Sequence, residues 1–363
     1  MEKLKNIEFI RVFLICAIVF LHMFIDRKWC LCTLFPDISI YQNIKTAVGH
    51  SNNCVEGFFL IAGFFLVYTF KTISLKEFIL KKYIRLSPVI LFSMGLCVIG
   101  WLLGTMHFNM IPNILTVFLL NQFGINFAVG QNPILWYTSV LFAGLLLYFC
   151  IIKYLPTKIK YVIISILVIC AYTIVEILQH GSFANPLVNY HHIFNIGFLR
   201  AVGGIGLGCI VGLLYKCFFT QTVCKTKNLA VKFFYSALEI LTTMFVFWWC
   251  LFIHKGLNNI FIVLAFVLML ILFILRKGYL SQFLNKDIWA FLGKFQYSIY
   301  VVHYVLIRII GLTLWKHNPQ FVYSHPLLPI IITLTVILVV GVSTYYMVEL
   351  PCTKYLKAKL IRK

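Results

Sequence analysis

The chain has 363 residues, of which 62% are hydrophobic, 17% aromatic and 11% charged. Soluble domains carry about 25% charged residues, so this composition excludes a globular protein with an ordinary water-facing surface. The net charge of +21, from 31 Lys and Arg against 10 Asp and Glu, is then a question of where cations sit relative to apolar runs, and it does not imply nucleic acid.

A helix needs about 20 apolar residues to cross a ~30 Å hydrocarbon core. In chain order, that length predicts spans over residues 8-25, 55-71, 87-105, 134-152, 161-178, 197-215, 234-253, 258-275, 291-315 and 327-348. The first run, Ile7 to Phe24, carries Arg11 and is not followed by a small-residue cleavage site. It is expected to be retained rather than removed as a signal peptide. Residues 111-128 are apolar but broken by Asn121, Gln122 and Asn126, which predicts a re-entrant or interfacial segment.

With the N-terminus inside, the inside loops hold 23 of the 31 Lys and Arg and the outside loops hold 5; Arg11, Arg200 and Arg308 lie within or at the edges of spans. This bias places both termini in the cytoplasm. An eleventh span at 111-128 would invert every later loop and spoil it. No repeat and no low-complexity linker interrupts the chain. The expected architecture is all-α, a polytopic transmembrane bundle of about ten spans forming a single domain over 1-363. Most of the 12 Cys lie in apolar runs, as small buried hydrophobes do. Cys30, Cys32 and Cys54 fall near one predicted membrane face and could pair.

Ionisable groups inside a bilayer are costly, so each one is a functional candidate. Arg11 and His22 are eleven residues apart, close to three helical turns, so they share a face about 16 Å apart along the axis. A snorkelling Arg and an interfacial His are the structural alternative. Glu56 opens the second span at the depth of His22, where a carboxylate can fix a histidine tautomer. Lys82 and Arg85 precede Leu86-Ser87-Pro88 at the inner end of the third span. Arg200 precedes a run containing Gly203, Gly204, Gly206 and Gly208, which permits close helix packing. His303 lies mid-span, and Glu349-Leu350-Pro351 ends the last span. His191-His192 reads as loop rather than metal site. No phosphate loop, zinc motif or nucleophile elbow occurs.

Taken in order, these residues resemble the acyltransferase-3 family of integral membrane O-acyltransferases. The R-x10-H signature is Arg11 to His22. The phenylalanine-rich motif is Phe58-Phe59-Leu60-Ile61-Ala62-Gly63-Phe64, and the basic motif is Lys82-Tyr83-Ile84-Arg85-Leu86-Ser87-Pro88. A Trp motif follows at Leu135-Trp136-Tyr137. The late motif runs Gly293-Lys294-Phe295-Gln296-Tyr297-Ser298-Ile299-Tyr300-Val301-Val302-His303, and Glu349-Leu350-Pro351 is the terminal E-x-P. Two positions depart. Ala62 stands where the family usually has Ser, and Lys82 replaces a frequent Arg, keeping the charge but losing the planar fork.

The resemblance implies transfer of an acyl group, commonly acetyl from acetyl-CoA, to a hydroxyl of a saccharide or lipid-linked glycan, in a bacterial cytoplasmic membrane. His22 is the expected base and Glu56 its orienter. Arg11, Lys82 and Arg85 are expected to receive the CoA phosphates. Trp136, Arg200, Tyr300, His303 and Glu349 are expected to serve the acceptor or the scaffold. Acetyl-CoA is expected as co-substrate, with membrane lipids as partners and with no metal and no nucleic acid. A transporter, or a non-catalytic component of a polysaccharide-export assembly, would also place Arg, His and Glu inside a bundle.

Overall fold

The computed structural model describes residues 4–25, 27–122, 130–180, 183, 187, 189–190, 194–219, 228–252 and 259–361. Ten apolar helices form its frame: α1 (Lys5–Phe24), α2 (Cys54–Tyr68), α3 (Leu75–Leu102), α4 (Trp136–Tyr154), α5 (Thr157–Gln179), α6 (Ile196–Leu214), α7 (Leu229–Leu251), α8 (Ile260–Leu275), α9 (Gln296–Ile310) and α10 (Leu328–Thr344). Among the described residues, nine helical runs are long and apolar enough to cross a membrane, and α8 is a shorter apolar helix. Its 16 residues reach about 24 Å. The chain is thus a polytopic helical bundle. Large apolar side chains such as Ile169, Ile177, Met244 and Val339 are exposed on its outer faces, as suits contact with hydrocarbon.

Two boundaries differ most from the sequence expectation. Helix α3 starts twelve residues earlier than 87, so Lys82 and Arg85 are helical. The Ser74 hydroxyl accepts the Glu77 N–H at 3.1 Å, a cap that lets the basic stretch extend the apolar helix. At the other end of the chain, Glu349 does not stop the helix. A π-turn over Tyr345–Glu349 leads from α10 into Leu350–Leu360. In the segment 111-128, Met110–Val117 is an eight-residue helix, about 12 Å long and too short to span. Residues 123–129, with Asn126, lie outside the described residues, as do His191 and His192.

Helix α6 is the hub, packing against α2 more extensively than any other pair of elements does, and also against α4 and α5. Gly63 of α2 faces the Ile205 carbonyl of α6, and Gly208 of α6 faces the Leu60 carbonyl and Phe64 N–H of α2. A Cβ at either position would strike backbone, so these two glycines set the approach of the helices. Helix α9 packs against α10, α3 and α1. The loop after α1 folds back over its end. The Cys30 thiol donates to the His22 carbonyl at 3.1 Å and the Cys32 thiol to the Phe24 carbonyl at 2.8 Å, occupying carbonyls that a helix C-terminus leaves unpaired. No disulfide joins Cys30, Cys32 and Cys54.

Candidate active site

The approach of α1 to α9 brings His22 and His303 together. His22 Nδ1 lies 2.9 Å from His303 Nε2, although the residues are 281 apart in sequence. His303 is fully buried, and its Nδ1 lies 2.6 Å from the Tyr300 carbonyl and 3.2 Å from the Ile299 carbonyl. A carbonyl only accepts, so in the neutral ring Nδ1 carries the proton and Nε2 is left as acceptor. His22 Nδ1–H therefore donates to His303. The same counting leaves the lone pair of His22 on Nε2, which has no hydrogen-bond partner among the described residues. These proton positions are assigned by donor and acceptor counting.

Aromatic rings enclose the pair. Tyr304 meets the His22 ring edge-on, with centroids 5.4 Å apart. Tyr300 lies 5.8 Å from the His303 ring and donates its hydroxyl to the Ile134 carbonyl at 2.5 Å. Tyr137 packs edge-on against Tyr300 at 5.4 Å and also against Phe58 and Phe59. Asn132 ties this wall together, donating its amide to Ser93 Oγ of α3 and to the Val301 carbonyl of α9, both at 2.8 Å.

Among the described residues no hydrogen bond joins Glu56 to His22. Its Oε1 accepts from Arg200 Nε at 2.6 Å and its Oε2 from the Tyr172 hydroxyl at 2.9 Å. Both charged residues are 1% exposed. Arg200 also donates to the Phe183 carbonyl at 2.8 Å and the Asn52 carbonyl at 3.4 Å, and its guanidinium carbon lies 5.8 Å from the centroid of the Trp136 ring. Both carboxylate oxygens thus hold partners on α6 and α5. Glu56, Arg200, Tyr172 and Trp136 form one buried group that joins α2, α4, α5 and α6.

Toward the other end of α1, Arg11 Nη1 pairs with Glu8 Oε2 at 3.0 Å. Tyr137 lies within electrostatic reach of Arg11. Lys82 is half-buried with its ammonium 5.5 Å from the Phe78 ring, whereas Arg85 is exposed. Three residues apart on one helix, they share a face. Glu349 accepts from Ser298 Oγ at 2.6 Å and lies within electrostatic reach of Arg85, so the late motif, the terminal E-x-P and the basic motif meet at one end of the bundle.

Sequence reasoning singled out His22 and His303 but did not pair them, because nothing local encodes a contact between α1 and α9. It also missed Glu8, Tyr172, Asn132 and Tyr304. Only Glu8 carried a readable signal, the i,i+3 spacing to Arg11. Among the described residues no group of three His, Cys, Asp or Glu gathers as metal ligands would.

Over residues 4–347, nearly the whole chain, the sequence matches the acyltransferase domain family, acyltransferase-3, and the chain belongs to it. No match was found among curated proteins or among solved structures.

Proposed function

From the premise that this is a multi-pass membrane acyltransferase, we propose that it moves an acetyl group from acetyl-CoA to a hydroxyl of a saccharide or lipid-linked glycan at a bacterial cytoplasmic membrane. The observation that carries this reading is the oriented histidine pair. Acyl transfer to an alcohol requires a base for the hydroxyl proton. His22 Nε2 is the one ring nitrogen of the pair with its lone pair unoccupied.

In the proposed step, the acceptor hydroxyl oxygen bonds to the acyl carbon while its proton passes to His22 Nε2. The thioester C–S bond then breaks, and the departing thiolate takes that proton back. His303 positions His22, holding Nδ1–H as a donor and stabilising the imidazolium when it forms. Lys82 and Arg85 would receive the CoA phosphates. Arg11, partly compensated by Glu8, would lie along the path between them and His22, whose length corresponds to a rise of about 16 Å along α1. The aromatic wall limits water, which would compete as acceptor. Glu56, first expected to orient His22, belongs in this reading to the scaffold.

The test is CoA release by the full chain in nanodiscs, given acetyl-CoA and extracted cell-envelope glycan. Release that requires the glycan supports the proposal. A folded protein that releases no CoA with any glycan fraction, but carries solute across vesicles, would replace it with the transporter reading.

A further inference from the structure

The proposed reaction leaves the acceptor's chemistry open, and the side chains around the His22 end of α1 narrow it. The loop after α1 is held down by the Cys30 and Cys32 thiols, and the Trp29 carbonyl sits directly on Gly311, where a Cβ would leave no room. This fixes Trp29 against Tyr304, ring centroids 6.0 Å apart, while Tyr304 in turn contacts His22 at 5.4 Å. The Arg308 guanidinium lies 4.4 Å from the centroid of the Trp29 ring. Arg27 lies within electrostatic reach of His22 and, with Arg308, of Tyr304.

Neither Arg27 nor Arg308 has a carboxylate partner among the described residues. Among the described residues the Arg308 side chain makes a single hydrogen bond, from Nε to the Thr105 carbonyl at 2.9 Å. A guanidinium has five N–H donors, so four remain. Trp29 Nε1, also a donor, is buried with no partner among the described residues. Glu56 holds Arg200, and Asp37 accepts from Tyr323 at 3.5 Å. Asp26 lies outside the described residues. Two guanidiniums and an indole N–H with open donors, set around an aromatic ring that touches His22, make an oxyanion receptor.

We propose that the acceptor is anionic: a hydroxyl-bearing molecule with a phosphate or carboxylate near the acylated hydroxyl, bound by Arg27, Arg308 and Trp29 Nε1 beside His22. This rests on the acyl-transfer reading. A phosphate can come from the acceptor itself or from a lipid headgroup, and we assign it to the acceptor. The anion would offset the paired positive charges and turn the neighbouring hydroxyl toward His22 Nε2.

The experiment uses the full chain in phosphatidylcholine nanodiscs at fixed ionic strength, with glucose, glucuronate and glucose 1-phosphate as probes and thermal unfolding as readout. Both anionic sugars should raise the midpoint more than glucose does. Arg27→Gln, a change at an exposed side chain, should weaken the apparent affinity for glucuronate about tenfold, as expected for losing a charge-assisted hydrogen bond. Arg308→Gln should do the same and Arg308→Lys less. Equal shifts with glucose and glucuronate, or an Arg27→Gln protein that keeps the wild-type preference, would overturn the inference. Phosphatidylglycerol that stabilises the wild type and cancels the sugar effect would assign the oxyanion to a lipid headgroup and overturn it too. CoA release with envelope glycan is read separately on the same preparation. Release without any anion preference sinks this inference alone. Anion preference without release sinks the acyl-transfer reading and leaves an oxyanion-binding site.

Discussion

The two histidines differ in what they touch, and their substitutions should differ accordingly. His303 acts through His22, so His303→Phe should lower turnover by roughly 10²-fold, at the low end of acid–base contributions, while leaving KM for acetyl-CoA unchanged. A KM change with constant kcat would instead place His303 at the donor site. Glu56 and Arg200 should behave as scaffold. Removing one member of a buried ion pair costs about 3–5 kcal/mol, because the other charge is left uncompensated. Glu56→Met and Arg200→Met should each lower the unfolding temperature sharply in detergent, and the double variant should recover part of the loss. If Glu56→Met kept wild-type stability and lost only turnover, the carboxylate would be catalytic after all. Sequence spacing could align Arg11 with His22 because both lie on one helix. It could not show that Glu56 faces Arg200, since that pairing depends on how α2 meets α6.

Apolar length carried most of the helix assignments, because a span must satisfy its own backbone. The exceptions have local causes. The Ser74 cap extends α3 back through Lys82 and Arg85, and the π-turn at Tyr345–Glu349 carries the chain past the expected end of α10. Glycines in α6 were legible as packing residues, but their partners were not. Gly208→Val should strike the Leu60 carbonyl and Phe64 N–H of α2. Backbone cannot yield as a flexible side chain does, so overpacking of at least about 1–3 kcal/mol is expected, with loss of monodisperse protein on size exclusion. Gly95→Ala in α3 is the control, since a Cβ there meets nothing within 4 Å. Equal behaviour of the two variants would contradict close α2–α6 packing.

Charge organises the whole molecule. Lys5 pairs with Asp287 at 2.8 Å, tying the start of α1 to the short helix Asp287–Leu292, and Leu350–Leu360 carries Lys354, Lys357 and Lys359. The loop count predicts that these cations face the cytoplasm. Green fluorescent protein fused after Lys363 should therefore fold and fluoresce in living cells. Alkaline phosphatase activity from the same fusion point would invert the topology, and with it the assignment of donor and acceptor ends. The +21 charge supplies an expectation of orientation, whereas the meeting of α1 with α9 needed the folded chain.

The central claim is that His22 Nε2 takes the acceptor proton. The most direct measurement is glycan-dependent CoA release by His22→Ala beside wild type, in nanodiscs, with both proteins shown to be folded by their unfolding midpoints. The account predicts release by the wild type and none above background by the variant. Release by folded His22→Ala at the wild-type rate would contradict it.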